Sequence, residues 1–170
     1  MKTAFIAFYF FLLAYISFYG VHLYWLIIIY LRNRSRILKP ADGPLGINHY
    51  PMVTIQLPLF NEKRVAVRLI KAVTSFDWPA DRLEIQVLDD STDITSRHIA
   101  GYLKRLSRAT ARSGQHLPAI HHLRRTRREG FKAGALAEGL QRARGDFVAV
   151  FDADNLPQPD FLKANIPFFN

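Results

Sequence analysis

Cysteine is absent from this 170-residue chain, so no disulfide framework is open to it, and the absence fits a reducing, cytoplasm-facing compartment. Two common phosphate-loop fingerprints are absent as well. Neither G-x-x-x-x-G-K-[ST] nor G-x-G-x-x-G occurs, which excludes a standard nucleotide loop of either kind. The D-x-D at Asp152-Ala153-Asp154 lacks the central Gly and closing Glu of an EF-hand, which excludes that type of calcium loop. No internal repeat or low-complexity tract interrupts the chain. The most informative absence is of charge: from Thr3 to Leu31 there is no Asp, Glu, Lys or Arg.

That uncharged stretch exceeds the roughly 20 apolar residues that cross a bilayer. Phe, Leu, Ile and Tyr dominate it, and Tyr24, Trp25 and Tyr30 sit near its far end, as interfacial aromatics do. A secretory signal has a shorter apolar core and a small-residue cleavage site. A buried core helix is rarely apolar on every face over this length. Residues 1–31 therefore read as a retained transmembrane helix. Lys2 alone precedes it while Arg32, Arg34, Arg36 and Lys39 follow, so the positive-inside bias directs the remainder to the cytoplasm. Of 23 basic residues all but Lys2 lie beyond the stretch, with all 14 acidic ones. That basic excess suits nucleic acid, anionic lipid or a phosphorylated substrate, and does not choose among them.

Residues 32–50 carry Pro40, Gly43, Pro44 and Gly46 among basic residues and read as a juxtamembrane linker. Residues 51–170 then alternate. Short β-branched or apolar runs at 53–57 (VTIQL), 83–88 (LEIQVL), 119–123 and 147–151 (FVAVF) predict strands. Helical spacing predicts helices over 62–76, 93–112 and 131–143, the second with Ile99, Tyr102, Leu103 and Leu106 inward. Strands that alternate with helices and read as hydrophobic on both faces predict an α/β domain with a mostly parallel sheet covered by helices. In such open sheets ligands bind beyond the carboxyl ends of the strands.

The polar oddities cluster at those ends. Pro58-Leu59-Phe60-Asn61-Glu62 follows the first strand, Asp89-Asp90-Ser91-Thr92-Asp93 the second, and Asp152-Ala153-Asp154-Asn155 the last. Carboxylates gathered at one edge repel unless a cation or hydrogen-bond donors compensate. Asp152 and Asp154, two apart in an extended segment, point the same way and offer hard oxygens to Mg²⁺ or Mn²⁺. The competing reading is a solvated turn that Asp154 or Asn155 caps. Asp90, Ser91 or Asp93 similarly competes as a helix cap, which explains one acid well and the adjacent pair Asp89-Asp90 poorly. Lys132 falls in the first turn of a helix that starts near Gly130 and Gly134, where free N–H groups favour an anion. The neighbouring RRTRR, Arg124 to Arg128, is read either as ligand-binding or as a solvated or membrane-surface strip. His121 and His122 point to opposite faces of a strand and read as ordinary strand residues.

PLFNE, VLDDSTD, RREGFKAGAL and FDADN, in this order and spacing, resemble the family 2 glycosyltransferases of GT-A fold. Among them the processive cellulose- and mannan-synthase type is most similar, and QVLDDSTD and REGFKAGAL resemble the mannan and glucomannan branch. The resemblance implies that Pro58, Asn61 and Glu62 line a nucleoside site and that Asp89 and Asp90 contact base and ribose. It further implies that Lys132, helped by Arg128, holds the diphosphate, while Asp152 and Asp154 bind a bridging Mg²⁺ or Mn²⁺. The implied activity is inverting transfer of a hexose from UDP-glucose or GDP-mannose to a growing β-linked glycan at a membrane, with no nucleic-acid partner.

The family's catalytic Asp, in a T-E-D string, and its acceptor-binding Q-x-x-R-W string do not occur in these residues. Asp160 follows Pro159 in a cap-like setting and is not assigned as the base. The sequence is therefore expected to be the donor-binding part of a longer enzyme, with the base beyond Asn170. Two alternatives stay open: a membrane-tethered basic module for nucleic acid or anionic lipid, and a non-catalytic fragment.

Overall fold

The computed structural model describes residues 2–37, 50–114 and 116–169. The chain divides into two units, Met1–Gly43 and Pro44–Asn170. The first contains helix α1, Lys2–Ile37, whose apolar side chains from Phe5 to Leu31 are exposed on every face. Its apolar part, Lys2–Arg34, is 33 residues long, enough in length and composition to cross a bilayer. The helix runs past Leu31, so residues 32–37, expected in the linker, are helical. The rest of that expected linker up to residue 49, with its Pro and Gly residues, lies outside the described residues.

The second unit is built on four strands: β1 (Val53–Leu59), β2 (Leu83–Asp89), β3 (Ala119–Arg124) and β4 (Phe147–Val150). All pair in parallel, in the order β3-β2-β1-β4. Helices α2 (Ala66–Thr74), α3 (Thr95–Ser113) and α4 (Phe131–Leu140) are the crossovers, and a short α5 (Phe161–Asn165) follows β4. The register sets Leu59 beside Asp89 and Asp89 beside Arg124, so these strands end at one edge.

One face of the sheet matches the expectation. Val53, Ile55, Leu57, Leu83, Ile85 and Val87 are fully buried under Ala66, Leu69, Ile70 and Val73 of α2 and Ile99 of α3. Tyr102 and Leu103 pack at the margin of this core, and Phe76, Phe151 and Phe161 close one end with ring contacts of 4.9 to 6.3 Å.

The other face departs from it. VTIQL and LEIQVL alternate, and period-two alternation puts Thr54, Gln56, Glu84 and Gln86 together on the side opposite the apolar core. These four are buried all the same. Burial of these polar groups is tolerated because most of their polar atoms are paired within the group, Gln86 Nε2 alone of the four side chains being left without a partner among the described residues. Thr54 Oγ1 donates to Glu84 Oε2 at 2.7 Å, the Arg144 amide donates to the same oxygen at 3.0 Å, and the Gly145 amide donates to Thr54 Oγ1 at 2.9 Å. Gln56 Nε2 donates to Gln86 Oε1 at 3.0 Å and His121 Nε2 lies 3.3 Å from Glu84 Oε1. The polar ladder thus anchors the loop between α4 and β4. β4 also differs from a two-sided apolar strand, since Val148 and Val150 are exposed.

Glu84→Leu keeps the bulk but strands the Thr54 hydroxyl and the Arg144 amide. Thermal unfolding of the full chain in detergent should show a loss of about 2–4 kcal/mol. An unchanged midpoint would mean that the ladder does not hold the loop.

Candidate functional site

The segments that follow the strands fold back on one another through side-chain-to-backbone bonds. After β1, Asn61 adopts a left-handed φ of 58°, a conformation Asn accepts more readily than most residues. Its amide N–H donates to Ser91 Oγ at 3.0 Å, and its Oδ1 accepts from the Thr92 and Asp93 amides at 3.0 and 3.3 Å. The ends of β1 and β2 are thereby clamped. Asp93 Oδ1 accepts from the Thr95 amide at 2.9 Å at the start of α3, and this bonding with Thr95 lowers its pKa. The capping alternative therefore accounts for Asp93 and leaves Asp89 and Asp90 to be explained.

Asp89 is buried, at 1% exposure. Its Oδ2 lies 2.8 Å from His122 Nε2 and its Oδ1 accepts from the Ser91 amide at 3.0 Å. Burial alone would raise its pKa, but the bonds from His122 and Ser91 prevail and hold it at about 2. Asp89 faces inward and braces the loop from behind.

Asp90 faces the other way and meets Arg125. The guanidinium Nε donates to Oδ1 at 2.9 Å and a terminal NH₂ donates to Oδ2, a two-pronged pair that raises the Arg125 pKa. Both side chains are largely buried, at 10% and 6% exposure. The same guanidinium donates to the carbonyls of Glu129 and Phe131 at 2.8 and 2.9 Å. It thus holds a strained turn in which Gly130 (φ 67°) and Phe131 (φ 49°) are both left-handed. Gly134 is required beneath that turn, because a Cβ there would sit 2.0 Å from the Glu129 carbonyl oxygen. Arg128, carried by the turn, lies over the Phe60 ring with its guanidinium carbon 3.4 Å from the centroid. Lys132, in the first turn of α4, pairs with Asp152.

Residues 152–155 form a turn in place of the expected extended segment, with the Asn155 amide donating to the Asp152 carbonyl at 3.0 Å. The three strand ends and the start of α4 surround a cavity of about 390 Å³. Pro58, Glu62, Asp90, Arg128, Lys132, Asp152 and Asp154 all line it, with Phe60 and Leu88 on its apolar side. Asn61 and Asp89, expected to touch a ligand, stand outside the lining as braces. A volume of this size, apolar on one side and with convergent charges, suits a small polar ligand. Asp152 and Asp154 fit a hard divalent cation: both are exposed carboxylates, and among the described residues no third His, Cys, Asp or Glu completes a protein cage. Mg²⁺ in particular is held by one or two carboxylates with its other positions left to water and phosphate.

Sequence reasoning missed Arg125. Arg127, two residues on, is 84% exposed, and nothing in RRTRR marks which arginine turns inward. Phe60 stands within PLFNE, and nothing in that motif marks its ring as a wall of the site.

The profile of Glycosyl transferase family 2 matches residues 54–170. Glucomannan 4-beta-mannosyltransferase 1 of Oryza sativa subsp. japonica is 43% identical over 141 residues, covering 81% of this chain and 26% of the relative. Glucomannan 4-beta-mannosyltransferase 2 of Arabidopsis thaliana is 43% identical over 130 residues, covering 75% and 23%. The chain thus spans about a quarter of the length of these curated relatives. Among solved structures, the mannosyltransferase PcManGT of Pyrobaculum calidifontis, in complex with GDP-Man and Mn²⁺, superposes with a TM-score of 0.69. It is 27% identical, and the match covers 91% of this chain and 42% of that one. S. aureus TarS, 21% identical with a TM-score of 0.56 over 69% of this chain and 32% of its own, shares the fold.

Asp89 gives the site a pH signature. Its folded pKa of about 2 lies below the ordinary 3.8, so its contribution is complete above about pH 5 and is lost as the pH falls through 3.8 towards 2. Acidification from pH 5 to 2 should cost the native chain about 2 kcal/mol more than it costs Asp89→Asn, by chemical denaturation at each pH. Equal acid sensitivity would contradict the buried pairing.

Proposed function

The chain belongs to glycosyl transferase family 2, and on that footing we propose that it supplies the donor and metal site of a membrane-bound, inverting mannosyltransferase that uses GDP-mannose and extends a β-linked glycan. The observation that carries this reading is the convergence of Lys132, Arg128, Asp152 and Asp154 on one cavity with Asp90 and the Phe60 ring. The names of the relatives, and the GDP-Man and Mn²⁺ held by the Pyrobaculum enzyme, support mannose and guanine over the alternative of UDP-glucose.

Each group has a role that elementary electrostatics assigns. Asp152 and Asp154 would hold Mg²⁺ or Mn²⁺, whose chemistry when bound is to neutralise the diphosphate. Lys132 releases Asp152 and takes up a diphosphate oxygen, and Arg128, which lines the same cavity, takes another. Negative charge grows on the diphosphate as its bond to the anomeric carbon breaks, so these cations act more strongly on the transition state than on the ground state. Asp90 is fixed by Arg125 but still has lone pairs for a base or ribose donor. The Phe60 face is available for stacking once Arg128 turns to the phosphates. An acceptor hydroxyl oxygen bonds to the anomeric carbon from the opposite side, inverting it, and its proton passes to a base outside the residues named here. The apolar α1 would anchor the chain, and the basic residues after Leu31 favour a cytoplasmic site.

Calorimetric titration of the full chain with GDP should show Mn²⁺-dependent binding that weakens about tenfold or more in Asp152→Ala and in Asp154→Ala. GDP should bind more tightly than UDP. Binding that survives both chelation and the substitutions would overturn the site.

A further inference from the structure

Helices α2 and α3 pack on the same side of the sheet and against each other, yet neither contains an acidic residue. No Asp or Glu occurs anywhere from residue 94 to residue 128. On α3 the cations fall in register: Arg97, Lys104, Arg108 and Arg112 recur at helical spacing, with Arg105 beside them. Ile99, Tyr102, Leu103 and Leu106 occupy the opposite side, so the stripe faces away from the core, and all five cations are exposed. Arg68 and Lys71 extend the layer from the outer side of α2. Of a formal net charge of +9, these two helices carry seven.

This is a poor arrangement for a helix left in water. Lys104, Arg108 and Arg112 stand four apart, and like charges at that spacing oppose helix formation. Elsewhere in the unit many cations are paired: Arg125, Arg128, Lys132, Arg142 and Lys163 all have carboxylate partners, while Lys63, Arg64 and Arg144 form no salt bridge among the described residues. Among the described residues, none of the seven on α2 and α3 forms a salt bridge. The layer is also separate from the cavity, whose lining contains no residue of α2 or α3.

We propose that the α2–α3 layer is an electrostatic docking face for an anionic lipid surface, which holds the globular unit against the bilayer. A membrane is favoured over nucleic acid because the same chain carries a helix able to cross one. The stripe also lacks Trp, Tyr and Phe platforms on which single-stranded nucleic acid would stack, since beside its long cationic side chains it carries Gly101 and Ala111, with the exposed His98 ring at its margin. Phosphatidylserine headgroups meet such a face through their negative surface potential, within a Debye length of the membrane.

The native chain has no cysteine, so Ala111→Cys at the margin of the stripe gives a single labelling site. The labelled full chain is placed in nanodiscs of phosphatidylcholine alone or with phosphatidylserine, each carrying a headgroup nitroxide that quenches the label. Quenching should be strong with phosphatidylserine, weak without it, and reversed by high salt. Replacing Lys104, Arg105, Arg108 and Arg112 by Gln should weaken it by about tenfold or more, with an unchanged circular dichroism spectrum. Equal quenching in both lipids, or no effect of the four replacements, would overturn the proposal. So would loss of quenching on addition of single-stranded RNA at equal phosphate, which would assign the stripe to nucleic acid.

Discussion

The Asp90–Arg125 pair is the contact on which the site depends. It joins the end of β2 to the turn before α4, and that turn with the first turn of α4 carries the two cations that line the cavity, Arg128 and Lys132. The partners are largely buried, so the fork is shielded from the water that weakens surface ion pairs. Two further prongs of the same guanidinium hold the carbonyls of Glu129 and Phe131, the left-handed stretch that would otherwise relax. An ammonium in its place would keep the charge and lose the planar fork.

Around this contact the other braces divide the labour. Asn61 ties the end of β1 to that of β2, and Asp89 with His122 ties β2 to β3. Beneath α4, Thr54 and Glu84 secure the loop that delivers β4 and its two carboxylates. Rigid framing of this kind leaves the exposed members, Lys132, Asp152 and Asp154, free to exchange partners. In the chain by itself Lys132 and Asp152 satisfy each other, a surface pair worth little and easily given up to a diphosphate and a cation.

Much of this was legible in the sequence because its signals were local. Apolar runs and turn residues mark every strand to within a few residues, and of the nine site residues indicated by the strand-end clusters together with the family resemblance, seven line one cavity. What escaped depends on partners far apart in the chain. Asp89 and Asp90 are neighbours in the same motif, yet one turns to His122 and the other to Arg125, and only the sheet register decides which. The polar ladder was overlooked for a different reason. Thr, Glu and Gln alternate plainly in VTIQL and LEIQVL, so period two indicates one apolar and one polar face, a signal that the shortness and β-branched character of the runs obscures. The end of α1 is not legible from hydropathy, because the charged residues after Leu31 end the apolar stretch without ending the helix.

The most direct measurement is a crystal structure of the chain with GDP and Mn²⁺. Arg125 should remain forked onto Asp90, with Lys132 moved from Asp152 to the diphosphate and the cation on Asp152 and Asp154. An Arg125 that leaves Asp90 to bind the diphosphate itself, or a nucleotide seated away from the three strand ends, would contradict the organisation described here.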